Sequence, residues 1–459
     1  MKILHVTISD DRTRQQGIGR YVRDLSLEQA EAGEEPMVLY AGPTLCPGKP
    51  RILPSPGDDA TVPHYRLMKA LPEALRYGVS RPARYRKPYD ENLFVRFLAE
   101  RQPDILHVHT VQGIPAELFR AAAGLKIPML YTTHDFYPIC LRCNLVTAGG
   151  KLCRGPADPA LCAACNAGAK DYALLQDLIQ TDLYARLKNS AAAEKGRRLL
   201  TAKAQKSFSE EMESKAGPAS RQAAAPARIN EYASLIRYYY DILMLMNRIH
   251  FNSSITEKCY RERFPVRSWV TLPITRKLPE PSVRLTKDGP LRISYMGGLI
   301  PHKGLEVFLG AVRMLPAGRI RPVMYGPGTE KGRSRDGIPE GGEFRTPEET
   351  KEAWEQTDVL IVPSTWPETF GFLVPEALDR GIPAVCSDLV GAADCLGELR
   401  EELTFPAGRA DRLAAVLERL LDRDCLRRTE EKVPQARRLK TLKQHEREIK
   451  DVYRDLCGG

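Results

Sequence analysis

The stretch VPSTWPETFGFLVPEAL, residues 362–378, decides the fold class of this chain. An apolar run, DVLIVPS (358–364), reads as a strand, and a glycine-containing loop leads from it into a helix near Pro375. Glu368 belongs to the loop and Glu376 to the first turn of the helix, seven residues intervening. Strand, loop and helix in this order form one unit of a parallel α/β sheet, and such sheets bind ligands beyond the carboxyl ends of their strands. Two ionised carboxylates at that edge accept several hydrogen bonds each and suit a polyhydroxyl ligand. A helix-dipole cap is the competing account of either glutamate alone.

Working outward, LRISYM (291–296), RPVMYG (321–326), PAVCSD (383–388) and LTFP (403–406) are further strands of the same series. Between the first two, Leu305, Phe308, Leu309, Val312 and Leu315 repeat at helical spacing. The first 135 residues show a second series, with strands at KILHVT (2–7), PMVLYA (36–41), DILHVH (104–109) and PMLYTTH (128–134). These near-continuous apolar runs are what a parallel sheet covered on both faces requires. Ile18, Tyr21, Val22 and Leu25 place a helix from about Ile18 to Ala32, with Gly33 at its C-cap. RIHFNSS and WVTLP resume the alternation after Arg248. The class is therefore α/β, with two doubly wound halves facing across a cleft.

Three segments interrupt the rhythm. HYRLMKALPEALRYGVSRPARYRKPYD (64–90) reads as an exposed connector or as a basic, aromatic surface for a lipid or polyanion. Residues 166–247 hold no clear strand: LLQDLIQTDLYARL and INEYASLIRYYYDILMLMN look helical, and the polar segment 209–228 lies between them. KLPEPSVRLTKDGP (277–290) is the candidate interdomain linker.

Two glycine turns suit anions. Gly17 and Gly19 lie between the first strand and first helix, where bare backbone and a helix N-terminus can approach a phosphate, although Val22 fills the third position of a dinucleotide fingerprint. Gly297-Gly298-Leu-Ile-Pro-His-Lys303-Gly304 repeats the arrangement in the second half and adds an ammonium. Tight packing turns and a surface lysine are the plainer accounts.

The composition is that of an ordinary globular chain. Of 459 residues, 43% are hydrophobic and 27% charged, which excludes a disordered or fibrous chain. The length suggests two or three domains. A net charge of +10 favours anionic partners. No apolar stretch approaches the roughly 20 residues of a membrane span, and the N-terminus reads as a strand rather than a leader. Eleven cysteines without an export signal point to thiols or a metal site. Cys140/Cys143 and Cys162/Cys165 form two CxxC pairs with zinc-ribbon-like separation, and Cys153 lies between them.

Taken together, the glutamate pair, the two glycine turns, PDILHVH (103–109), TTHDF (132–136), YGPG (325–328) and PSTWPETFGFLVPEALDRGIPAV (363–385) resemble a retaining GT-B glycosyltransferase of family 4, the glycosyl transferases group 1. The glutamates match its E-x7-E motif, and the resemblance covers most of the chain. It implies an N-terminal acceptor-side domain (1–276, with a cysteine-rich loop at 140–165 and a helical insertion at 166–247). It also implies a nucleotide-sugar domain (277–434) and a C-terminal helix (435–459) crossing back to the first. It implies a hexosyltransferase that moves sugar from a nucleotide-diphospho-sugar to a saccharide or lipid-linked acceptor, with retention, in cell-envelope or exopolysaccharide synthesis. The expected location is cytoplasmic, peripheral on the inner membrane face, with no nucleic-acid partner.

By the same resemblance Glu376 would bind the donor ribose. Glu368 would hold the donor sugar beside the backbone of Thr369, Phe370 and Gly371. Lys303, helped by Gly17 and Gly19, would neutralise the diphosphate, and His134 would sit near the anomeric carbon. His107 and His109 would line the acceptor side. Catalysis would need no metal cofactor, since cations and amides can stabilise the leaving diphosphate. A front-face reaction is often favoured in the family, and the sequence offers no assured nucleophile. Gly298 stands where relatives often carry Arg, so one cation of the usual clamp is missing. Relatives with a similar loop select Cys140, Cys153, Cys162 and Cys165 as ligands of a structural zinc; free thiols are the alternative. A nucleic-acid-binding protein with a zinc module, or a non-catalytic nucleotide-sugar binder, would be the competing functions.

Overall fold

A computed structural model describes the chain except residues 11, 13–16, 58–60, 75–77, 170–224, 278–284, 287, 344–346, 438 and 459. The LLQDLIQTDLYARL segment, nearly all of the polar segment 209–228 and half of the linker 277–290 lie outside the described residues. The chain divides into two compact units: 1–252 with 257–277 and 441–459, and 253–256 with 278–440.

The first unit is built on an eight-stranded sheet. Its strands are β1 (Lys2–Thr7), β2 (Glu35–Ala41), β3 (Arg51–Pro54), β4 (His64–Met68), β5 (Ile105–Val108), β6 (Met129–Thr133), β7 (Arg248–Phe251) and β8 (Trp269–Thr271). The order is β3-β4-β2-β1-β5-β6-β7-β8, all parallel except the β3–β4 pair. Helices α1 (Ile18–Glu31), α2 (Glu91–Arg101), α3 (Ala116–Gly124), α4 (Pro159–Cys165) and α5 (Pro226–Leu245) belong to this unit. The strand order reverses between β1 and β5, the point at whose carboxyl ends sheets of this kind place a ligand. Side chains alternate between faces along each strand. Leu4 and Val6, Leu106 and Val108, Met129 and Tyr131, and Ile249 and Phe251 enter one large apolar core.

The connector reading of residues 64–90 is corrected at its start. His64–Met68 is β4, paired in parallel with β2, and Tyr65, Leu67 and Met68 are buried. Arg66 interrupts the apolar run and hides the strand, while the Arg101 guanidinium lies 4.8 Å from the Tyr65 ring centroid. Pro82–Arg86 is a short 3-10 turn with Tyr85 buried.

The second unit carries β9 (Leu291–Met296), β10 (Ile320–Tyr325), β11 (Ser334–Arg335), β12 (Ile338–Gly342), β13 (Val359–Val362), β14 (Ala384–Ser387) and β15 (Thr404–Phe405). Its order is β11-β12-β10-β9-β13-β14-β15, parallel except β11–β12. The reversal falls between β9 and β13. Helices α6 (Leu305–Met314), α7 (Pro347–Glu355), α8 (Leu373–Asp379), α9 (Ala410–Leu420) and α10 (Arg423–Ala436) complete the unit.

The last helix, α11 (Leu442–Cys457), belongs to the first unit and starts with a capping box at Thr441 and Gln444. Its Ile449, Val452 and Tyr453 cover Ile3, Ile105 and Leu130, on the sheet face opposite the large core. Among the described residues no helix is long and apolar enough to cross a membrane.

Candidate active site

In the second unit the turn after β9 meets the end of β13. Gly304 adopts φ +79°, and a Cβ there would lie 1.8 Å from the Pro363 carbonyl oxygen, so only glycine fits. The contact is fixed by Thr365 N–H donating to His302 O at 2.9 Å. It brings Lys303 Nζ to 2.7 Å from Glu368 Oε1. Ser364 Oγ donates to the same carboxylate oxygen. The Glu368 backbone is clamped by Leu389 O (2.9 Å) and by Gly391 N–H (3.0 Å). The side chain is therefore buried, held and paired. Lys303 Nζ also sits 5.3 Å from the Trp366 ring centroid, a cation–π contact.

Around this pair, Tyr295 donates to Gly298 O at 2.7 Å, and burial together with the Glu368 charge raises its pKa so that it stays protonated. Gly371 takes φ +96° beside the Glu368 carboxylate. Phe370 is buried and packs edge-on against Phe372. The Thr369 carbonyl accepts from Ser253 Oγ at 2.5 Å. Glu376 is half-buried in the first turn of α8. All these groups stand at the reversal point of the second sheet, where a ligand crevice is expected.

In the first unit, Gly17 (φ +60°) caps α1 without a side-chain bond, and Gly19 is buried in the helix's first turn. His109 and His134 stand directly after β5 and β6. His134 is half-buried, with the Tyr21 ring centroid 5.0 Å away and His109 Nδ1 3.2 Å from its Nε2. Burial, with His445 nearby, lowers its pKa to about 3, so it is neutral at pH 7. His107 and His109 are also pushed well below the usual imidazole range, by burial first and by neighbouring imidazoles second.

The sequence placed His107 and His109 on the acceptor side. Both are essentially inaccessible, at 0% and 1% exposure. His109 faces His5 and His134, and His107 faces Tyr453 and Thr132, so both lie behind His134 rather than on an open wall. The residues that sequence reading did not single out are His5, Gln29, Thr132, His250, His445 and Tyr453. Period-two alternation was the available signal for those on strands.

None of the eleven cysteines is paired in a disulfide. The loop after His134 turns at Cys140, whose carbonyl accepts from Cys143 N–H at 2.9 Å, and continues into a small antiparallel pairing of Val146 with Leu152. Cys162 and Cys165 lie on α4. Burial pushes the Cys162 thiol up to about 12, with Cys140, Cys165 and Cys153 adding to the shift. Cys140 is raised by burial and by Cys165 and Cys153. Cys143 instead meets Gln112 Nε2 at 3.8 Å and Ala74 O at 4.0 Å. Among the described residues the ligand-type atoms gathered within 4.8 Å of one another belong to His5, His107 and His109, not to the cysteines.

Comparison with known proteins follows the same division. Residues 16–158 match the Glycosyltransferase Family 4 model, and residues 290–423 match the Glycosyl transferases group 1 model; together these cover more than half of the chain. A GDP-mannose-dependent alpha-mannosyltransferase of Mycobacterium tuberculosis is 31% identical over 127 residues, 27% of this chain and 32% of the relative. An exopolysaccharide phosphotransferase of Streptomyces coelicolor is 28% identical over 28% of this chain and 15% of its own length. The chain thus spans a third or less of these curated relatives. Among solved structures, sucrose-phosphate synthase from Thermosynechococcus elongatus aligns over 99% of both chains with a TM-score of 0.57 at 16% identity. Anabaena HepE in complex with UDP covers 99% of this chain and 100% of its own, with a TM-score of 0.54 at 10% identity. Two parallel-dominated sheets, each with one reversal of strand order, and these matches lead to one assignment: the chain belongs to the family 4, group 1 glycosyltransferases and has their GT-B fold.

Proposed function

We propose that this glycosyltransferase moves a hexose from a nucleoside-diphosphate sugar to a saccharide or lipid-linked acceptor with retention of configuration. The observation that carries the reading is Glu368, buried yet ionically paired to Lys303 and bonded to Ser364, with Glu376 following at the start of α8. A buried carboxylate bonded to a lysine is a costly arrangement unless a ligand uses it. In this reading Glu376 takes the ribose hydroxyls and Glu368 takes sugar hydroxyls beside the Thr369–Gly371 backbone. Lys303 turns from Glu368 toward the diphosphate and stabilises the leaving group as charge develops. In the first unit His134 contacts the transferred sugar, and the Gly17–Gly19 backbone offers amides to an anion. No metal is needed for the transfer.

The thiols of Cys140, Cys162 and Cys165, each raised first by burial, all lie near Cys153, and this gathering supports a structural zinc, which would draw the four sulfurs together and hold them as thiolates. The relatives named for mannosyl transfer and exopolysaccharide chemistry support a cell-envelope or exopolysaccharide role, and the net positive charge supports docking on an anionic inner membrane face.

The test is a ligand-observed NMR screen of UDP-, GDP-, ADP- and dTDP-sugars, with GDP-mannose first, on the wild-type chain and on Glu376→Ala. One nucleotide series is expected to bind, and the variant is expected to lose it. Equal binding by both proteins would remove the glutamate from the donor site.

A further inference from the structure

The imidazoles of the first unit form a continuous, directional hydrogen-bonded line behind His134. His134 Nε2 lies 3.2 Å from His109 Nδ1, and His109 Nε2 lies 2.9 Å from His5 Nδ1. His5 Nε2 is 2.7 Å from Gln29 Oε1. The amide nitrogen of Gln29 donates to the Tyr453 hydroxyl at 3.2 Å. That hydroxyl is 2.6 Å from His107 Nδ1, and His107 Nε2 is 2.6 Å from Thr132 Oγ1. Thr132 Oγ1 is 2.9 Å from His250 Nδ1, and His250 Nε2 is 2.7 Å from the Leu272 carbonyl oxygen.

The two ends and the middle of this line fix its direction. A carbonyl oxygen only accepts, so His250 carries a proton on Nε2. Thr132 then donates to His250 Nδ1 and must accept from His107 Nε2–H. His107 Nδ1 is left as an acceptor for the Tyr453 hydroxyl, which in turn accepts from the Gln29 amide. Gln29 Oε1 accepts from His5 Nε2–H, so His5 Nδ1 accepts from His109 Nε2–H. The last link makes His134 the donor, through Nε2–H, to His109 Nδ1. Reversing the line would turn the Gln29 amide and place a nitrogen lone pair against the Leu272 oxygen at 2.7 Å. Each neutral imidazole has one donor and one acceptor, so the polarity passes through every ring.

We infer that Tyr453 and Thr132 are positioning residues of a one-way hydrogen-bond relay, anchored on the Leu272 carbonyl, that holds the His134 proton on Nε2 and leaves its Nδ1 as an acceptor. His134 then meets a substrate by accepting from a hydroxyl and supplies no proton to the departing phosphate. This role in turnover rests on the glycosyl-transfer reading; the tautomer does not.

The experiment is two-bond proton–nitrogen correlation NMR on protein labelled with 15N-histidine, which distinguishes Nε2–H, Nδ1–H, cationic and metal-bound rings. Wild type should show His134 as Nε2–H. Tyr453→Phe cuts the line and frees the Gln29 amide to turn, so His134 should become averaged, with the Nδ1–H form above about one tenth. Thr132→Val should act alike, and Thr132→Ser, which keeps the hydroxyl, should restore the wild-type pattern. An Nδ1–H or cationic His134 in wild type, unchanged spectra in both cutting variants, or metal-type shifts at His5, His107 and His109 would overturn the relay. In turnover, Tyr453→Phe should lower kcat by about tenfold with donor KM within about twofold. An averaged tautomer with unchanged kcat would overturn the positioning role. A wild-type chain that transfers no sugar would sink the transfer reading and leave the spectra to decide the relay.

Discussion

The two units place opposite chemistries at the same topological position. At the reversal point of the second sheet stands an ion pair, Lys303 with Glu368. At that of the first stands a layer of neutral rings and hydroxyls, in which His107, His109 and His134 are held far below their ordinary pKa. The difference teaches what each surface can do. A charged pair near solvent can exchange partners and meet a phosphate, whereas a dry imidazole layer gains by never ionising. The first fixes charge and the second fixes direction.

The strongest way to break the comparison is to remove the charge without changing shape. Glu368→Gln should lower kcat/KM by about 10²–10³-fold, read in steady-state transfer assays. A Gln that keeps full activity would mean the charge is not used. Next, Gly304→Ala should cost about 2–3 kcal/mol in denaturant unfolding, because its Cβ meets the Pro363 oxygen and its φ is positive. Little change there would show that the turn can move aside.

A pH titration sharpens the contrast. The folded-state pKa of His134, His107 and His109 lies below the unfolded value near 6.5, so the unfolded chain binds more protons between them. The contribution of all three is complete above about pH 6.5 and declines as pH falls below it; that of His134 is lost as pH falls toward about 3. His134 should steepen the loss by about 1.4 kcal/mol per pH unit within its window, and His107 and His109 should add to it in the same direction. Hydrogen exchange at pH 5 should show the weakening in β1, β5 and β6 rather than in β9 and β13. The smallest effect is expected from Ile449→Val, about 0.5–1.5 kcal/mol, since it removes one methylene from the apolar floor under the imidazoles.

Much of this was legible in the chain. The central strands read as unbroken apolar runs because both sheet faces are covered, and the E-x7-E segment carried the family. β4 was missed because Arg66 breaks its run, and β11 and β12 because Gly341, Gly342 and Pro339 weaken any strand pattern. The imidazole layer was half legible. His5, His107 and His250 hold the same phase in KILHVT, DILHVH and RIHF, with Thr132 in phase on β6. Reading each run as apolar hid the recurring polar residue. Gln29 and Tyr453, which join the two halves of the line, come from helices, and no local pattern could pair them across 424 positions.

The helix α11 carries a kinetic consequence. Ile3, Ile105 and Leu130 wait for Ile449, Val452 and Tyr453, whose contacts span more than 300 positions. At synthesis rates of about 5–20 residues/s, one face of the first sheet stays uncovered for roughly 20–70 s after its strands emerge. The second unit, whose strands lie between residues 291 and 405, can close while the chain is still growing. The part that emerges first is thus the last to finish. A nascent chain stopped before α11 should bind trigger-type chaperones through β1 and β5 and should give protease-resistant fragments from the second unit alone.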